Sequence, residues 1–136
     1  MAGEAEAEFW IGCYHQVCAE DTALALPHLE RALALAEEAG EELTASYALR
    51  HLAFAARQAG RAEEAHERMT ASTGLRRRVG FGAGVAANLV ALGYFALDDG
   101  RTADAAALFD EADGHAAASG AHAVAGWVTE ARAKLG

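Results

Sequence analysis

Glycine recurs at Gly40, Gly60, Gly80, Gly100 and Gly120, a strict spacing of 20 residues, and this punctuation constrains the chain more than any other feature. Glycine enters the left-handed conformation just past a helix end without a steric penalty, so glycines set regularly between apolar-periodic runs mark helix stops. Five stops predict about six helices. Between the stops the apolar spacing is helical. Leu49, Leu52, Ala53 and Ala56 in one block, and Leu89, Leu92, Gly93 and Ala96 in another, follow the i, i+3, i+4, i+7 pattern of a buried stripe. The hydrophobic fraction of 53 % is mostly Ala and Leu, with 7 % aromatic residues and one proline. That profile favours helix and lacks the β-branched residues of a sheet. The expected fold class is all-α. Pro27, inside the second expected helix, removes one backbone hydrogen bond and predicts a local kink.

The blocks alternate in character, so the repeating unit is two blocks, a helical hairpin of 40 residues. The clearest copy runs Leu89, Leu92, Gly93, Ala96, the turn Asp99-Gly100-Arg101, then Ala105, Phe109 and Ala112. One period earlier stand Leu49, Leu52, Ala53, Ala56, the turn Gly60-Arg61, then Ala65, Met69 and Ser72. The first copy reads Phe9, Gly12, Cys13 and Gln16, a turn at Glu20-Asp21 without glycine, then Ala25, Leu29 and Ala32. In these spacings the chain resembles the tetratricopeptide repeat (TPR) family, in a bacterial, actinobacterial-like variant. The resemblance implies a right-handed α-solenoid of three antiparallel helical hairpins, at about 5–40, 41–80 and 81–120, within a single domain over 1–136. A capping helix over 121–135 would close it, with Val124, Trp127, Val128, Ala131 and Leu135 as its apolar stripe. Gly93, Ala53 and Ala65 would be the small residues where paired helices cross. The longer period, against about 34 residues for the family, and the lack of a closing proline leave a HEAT-type stack as the second architecture.

In that family the first helices line a concave groove. The resemblance places Trp10, Tyr14 and Val17, then Arg50, Phe54 and Arg57, then Val90, Tyr94 and Leu97 on it. Aromatic residues flanking two arginines suit a protein or peptide partner with an acidic or carboxylate group. The alternative is that Trp10 and Phe54 complete helix packing and the arginines pair with nearby glutamates. The Lys and Asn clamp of chaperone-tail binders has no counterpart here. A second functional expectation is a homodimer, or higher oligomer, formed through Phe9, Trp10 and Ile11 of the first hairpin. A third is a small-ligand sensor. The chain is not expected to be an enzyme, and no cofactor is implied.

A net charge of −9 argues against nucleic-acid binding, which needs clustered positive charge. Arg76-Arg77-Arg78 reads as a solvated helix end, and Gly80, Gly82 and Gly84 as a turn, since no strand precedes them and no lysine follows. The six histidines form no i, i+4 pair. Cys13, Cys18 and His15 could meet His51 across adjacent first helices as four metal ligands, but scattered packing histidines are the simpler expectation and no metal is assigned. Ser46, Ser72 and Ser119 have no evident base beside them. Glu37, Glu38, Glu41 and Glu42 read as a solvated face. Nothing approaches a membrane span, and the first residues lack the basic and apolar segments of an export signal, so the expected location is cytoplasmic.

Overall fold

A computed structural model describes residues 3–18 and 21–135, the side chain of Cys18 excepted. Glu20 of the expected first turn lies outside the described residues. Among the described residues the chain forms seven α-helices, one π-helical turn and no strand. They are α1 (Glu4–Cys13), the π-helical turn (Tyr14–Cys18), α2 (Thr22–Ala39), α3 (Glu42–Gln58), α4 (Ala62–Arg78), α5 (Gly82–Asp98), α6 (Thr102–Ser119) and α7 (His122–Ala133). The all-α expectation holds, and from Thr22 to His122 a helix begins every 20 residues. None of these helices is long and apolar enough to cross a membrane.

The glycine period is realised as five copies of one turn. Gly40, Gly60, Gly80, Gly100 and Gly120 all have φ between +68° and +80°, where a Cβ would be strained. At each, the glycine N–H bonds a carbonyl three residues back and the next N–H reaches a carbonyl five back, as in Gly100 to Leu97 (3.0 Å) and Arg101 to Ala96 (2.8 Å). This is the Schellman closure, which satisfies carbonyls a helix end otherwise leaves bare. The residue after glycine also starts the next helix: the Arg101 carbonyl accepts from the Ala105 N–H at 3.0 Å.

The chain divides into two compact units, Met1–Leu75 and Arg76–Gly136, with the division inside α4. In the first unit α1, α2 and α3 touch one another around Phe9, Leu29, Leu33 and Leu52 and a set of buried alanines. Ser72 on α4 donates its hydroxyl to the Ser46 carbonyl of α3 at 2.6 Å, and Arg68 pairs with Glu30 of α2 at 3.1 Å. Asp21 starts α2 by accepting the Leu24 N–H at 3.1 Å. The helix then continues through Pro27, whose missing N–H leaves one carbonyl of the first turn without its helical donor.

Cys13 holds the sequence position of Gly93 in the first copy, but the small residue at the α1–α2 crossing is its neighbour Gly12. A Cβ on Gly12 would stand 2.8 Å from Leu29 Cγ, so Gly12 is the small residue that seats it. The reason is the turn at Tyr14–Cys18, whose wider π pitch carries an extra residue between the crossing and α2. In a regular copy the interval is 16 residues, from Gly93 to Phe109, and here it is 17, from Gly12 to Leu29.

In the second unit α5, α6 and α7 touch one another. Phe109 is fully buried and lies so close to α5 that a Cβ on Gly93 would be 2.2 Å from its Cε1. Burying such a ring stabilises the fold by about 1.5–3 kcal/mol. Val124, Val128 and Ala131 of α7 are buried as expected, but Trp127 is 46 % exposed. It sits about 60° to one side of that stripe at about 100° per residue, and Leu135 falls beyond the end of α7.

Arg76 corrects another expectation. Arg77 and Arg78 are exposed, and Arg77 pairs with Glu111 at 3.1 Å. Arg76 instead is only 2 % exposed, donates from Nη1 to the Gly84 carbonyl and to Asn88 Oδ1, each at 3.0 Å, and lies 5.3 Å from the Phe81 ring centre. It occupies the position whose carbonyl closes the glycine turn, which points inward; the other four turns have Ala36, Ala56, Ala96 and Ala116 there.

Candidate functional site: the cleft between α1 and α3

In the first unit α1 and α3 run parallel in a fixed register. Phe9 meets Tyr47 with ring centres 5.7 Å apart, and Cys13 meets His51, an offset of 38 residues in each case. Between them lies a cleft of about 370 Å3 lined by Glu6, Phe9, Trp10, Cys13, Leu43, Thr44, Tyr47 and His51. The lining follows from helix geometry. Leu43, Tyr47 and His51 are four residues apart along α3, and Glu6, Phe9, Trp10 and Cys13 are three or four apart along α1, so each set shares one face. Phe9 forms the floor, buried and edge-on to both Trp10 and His51 at 5.3 Å. Trp10 is 61 % exposed and its indole N–H reaches Glu6 Oε1 only at 3.5 Å, so the ring stands at the rim.

The inner end of the cleft is polar. Cys13 Sγ lies 3.7 Å from His51 Nε2 and 4.0 Å from Nδ1. Gln16, in the π-helical turn, grips His51 twice: its amide N–H2 donates to the His51 backbone carbonyl at 2.9 Å, and its Oε1 meets the ring Nδ1. His15 stacks on His28 at 5.6 Å, and His28 Nδ1 meets Glu8 at 2.8 Å. Among the described residues no group of three or more His, Cys, Asp or Glu is arranged to hold a metal ion. The Cys18 side chain lies outside them. The serine hydroxyls are spent on backbone carbonyls: Ser46 donates to Leu43 at 2.7 Å, Ser119 to His115 at 2.7 Å and Ser72 to Ser46 at 2.6 Å.

Of the residues expected to line a groove, Trp10 is in the cleft lining. Tyr14 and Val17, 59 % and 60 % exposed, follow it on the outer surface of the π-helical turn. Arg50, Phe54 and Arg57 are half-buried on α3, with the Arg50 guanidinium 4.9 Å from the Phe54 ring centre. At about 100° per residue Phe54 continues the Leu43–Tyr47–His51 stripe and the two arginines stand along its side. The first unit therefore holds an acidic group, Glu6, at one end of the cleft and arginines toward the other end of α3. Tyr94 belongs to the second unit, where it packs edge-on against Phe109 at 5.7 Å and under Lys134 at 5.8 Å. Val90 is buried at that unit's core.

The sequence pattern placed Cys13 and Gln16 only as positions of the first repeat copy, and joined Cys13 to His51 only as conceivable metal ligands. A signal existed. Cys13 stands where the other copies have Ala53 and Gly93, Gln16 where they have Ala56 and Ala96, and His51 where they have Ile11 and Ala91. Three departures from small or apolar residues converge in one place. No family model, curated protein or solved structure matches this chain.

Proposed function

We propose that the chain is a protein-interaction module of the tetratricopeptide kind, a right-handed stack of three hairpins closed by α7, which binds a segment of a partner protein in the α1–α3 cleft without turnover. The observation that carries this reading is the cleft itself. Its size suits one or two bulky side chains, its walls are aromatic and aliphatic, and its polar groups sit at the ends. The expected occupant is an extended or helical peptide with an aromatic or large aliphatic anchor between Trp10 and Tyr47. An acidic residue would follow toward Arg50 and Arg57, where a guanidinium can grip a carboxylate in a fork. Glu6 at the other end disfavours the reversed placement.

A random peptide library selected on the whole chain tests this, with Leu43→Asp as the control, because Leu43 lines the cleft yet is exposed and its change spares the core. Enrichment of a shared bulky-apolar and acidic motif that Leu43→Asp fails to select supports the reading. Enrichment of no motif, or of the same motif on both proteins, overturns it. The exposure of Trp10, Ile11, Tyr14 and Val17 favours a second reading, self-association through α1. Sedimentation that depends on protein concentration and is abolished by Trp10→Glu would establish that one in its place.

A further inference from the structure

We infer that the segment received by the α1–α3 cleft is α7 of a second copy of this chain, with Trp127 as its anchor and Glu130 as its acidic residue. The inference rests on the reading of that cleft as a docking site and names the partner. It begins with the register of the repeat. Trp127 stands two periods after Tyr47, and Glu130 two periods after Arg50. Helices α3 and α7 therefore carry the same two positions, three residues apart, with an aromatic ring at the first and opposite charges at the second. The other two copies have Ala7 and Ala87 at the aromatic position and Trp10 and Val90 at the charged one.

The side of α7 that holds these residues is turned to solvent. Val124, Val128 and Ala131 fill the core, while Trp127 is exposed and so are Ala123, Gly126 and Glu130 beside it. These four lie within about 100° of one another around the helix. A Cβ on Gly126 would meet nothing within 4 Å, so nothing in its own fold requires a glycine in mid-helix, where alanine is the better helix former. Small residues beside an exposed indole let facing helices approach until the ring is enclosed. The cations of α7 are engaged within their own copy: Arg132 pairs with Asp110 and Asp113, and Lys134 lies 5.8 Å from the Tyr94 ring centre. Glu130 is left as the charge that this exposed side presents.

The cleft is the complement. Its aromatic walls, Phe9, Trp10 and Tyr47, stand around a volume of about 370 Å3. An amphipathic helix set into such a groove places its anchors at i and i+3. Laid parallel to α3 with Trp127 at Tyr47, α7 brings Glu130 level with Arg50, because both steps are three residues of helix, about 4.5 Å. The carboxylate then meets the positive end of the groove and stands away from Glu6. One copy gives α7 and the next gives the cleft, so the contact is head-to-tail.

Sedimentation equilibrium on the whole chain tests this with two variants, Trp127→Ala, which removes the anchor, and Leu43→Asp, which blocks the cleft. Both residues are exposed, so the core is spared, and circular dichroism confirms that each variant folds. The average mass of the native chain should climb with concentration. Each variant alone should remain a single chain. An equal mixture of the two should give a complex of two chains and nothing larger, because one keeps the cleft and the other keeps α7. Glu130→Arg should weaken the native association about tenfold or more, and adding Arg50→Glu should recover most of the loss. A native chain that stays single at every concentration overturns the inference. So does an association that Trp127→Ala leaves unchanged, as pairing through α1 would be, or a mixture that remains single chains. Should Trp127→Ala not fold, an association unaltered by Glu130→Arg overturns it instead. A cleft-dependent motif from the peptide library without self-association sinks this inference alone, and the lack of both sinks the reading of the cleft as well.

Discussion

The hairpin of α5 and α6 and the hairpin of α1 and α2 descend from the same spacing and differ in what they do with it. In α5 and α6 the repeat is followed closely: Gly93 seats Phe109, Gly100 closes the turn at φ +78°, and α5 buries nearly every residue along its middle. In α1 and α2 the turn glycine is missing, a π-helical turn adds a residue, and the small crossing position slides to Gly12. The polar residues Cys13, Gln16 and His51 enter where the other copies are small or apolar. Local rules that agree with the global pattern give stability, and places where they are broken without a packing gain are candidates for function. The regular hairpin reads as scaffold and the irregular one as site.

The largest expected effect that could break this comparison lies at the two crossing glycines. Gly93→Ala puts a Cβ 2.2 Å from a rigid, fully buried ring, and should destabilise the protein by about 2–3 kcal/mol in urea unfolding. Gly12→Ala meets Leu29 Cγ and Cδ2 at 2.8 and 2.9 Å and the Leu29 backbone N at 3.2 Å, all longer than the closest approach at Gly93, and should cost less, about 1–2 kcal/mol. Equal losses would mean that both hairpins are packed to the same tolerance and that the division into scaffold and site is wrong.

A smaller effect sharpens the account of the irregular turn. Asp21 supplies the side-chain cap that starts α2, since no glycine closure precedes it in the described residues, and Asp21→Ala should cost about 1 kcal/mol. The equivalent Arg61 and Arg101 positions start their helices from the backbone closure alone, and alanine there should cost only a few tenths of a kcal/mol, about what a surface change costs.

The smallest effect is expected at Arg132. Its hydrogen bond to Asp110 at 2.6 Å is the largest influence on its pKa and raises it above the ordinary arginine value; desolvation opposes this, and the charges of Asp113 and Asp110 add to the rise. A folded-state pKa raised above the unfolded one gives stability that is complete below the unfolded value and lost only as pH climbs through the folded one. That window is strongly alkaline, so the arginine's own titration leaves the loss in Arg132→Ala unchanged from about pH 6 to 9. On an exposed, screened surface the loss should be about 0.5 kcal/mol or less, falling further with salt.

Much of the scaffold was legible in the sequence because its information is local. A positive φ after a helix selects glycine, so the glycine spacing marked all five turns to the residue, and an i, i+3, i+4 pattern marked the buried faces. The site was less legible because it is made by contacts between residues far apart in the chain. No composition announces a π-helical turn, and without it the crossing counts from Cys13 and Gln16 appears as a packing residue. Arg76 was misread for a related reason. A run of three arginines suggests solvent, while only the turn's geometry says that the first points inward. Trp127 was misread because a residue about 60° off a stripe can still look periodic.

The central claim is that the molecule acts through the α1–α3 cleft, and Trp10 reports on it directly. With Trp127→Phe leaving Trp10 as the sole tryptophan, emission would be followed while a peptide with one aromatic anchor and an acidic flank is titrated in. The account predicts a saturable change in Trp10 emission that is lost on adding Leu43→Asp and weakened on adding Arg50→Glu. Emission that stays constant, or that changes equally in the Leu43→Asp protein, would contradict it.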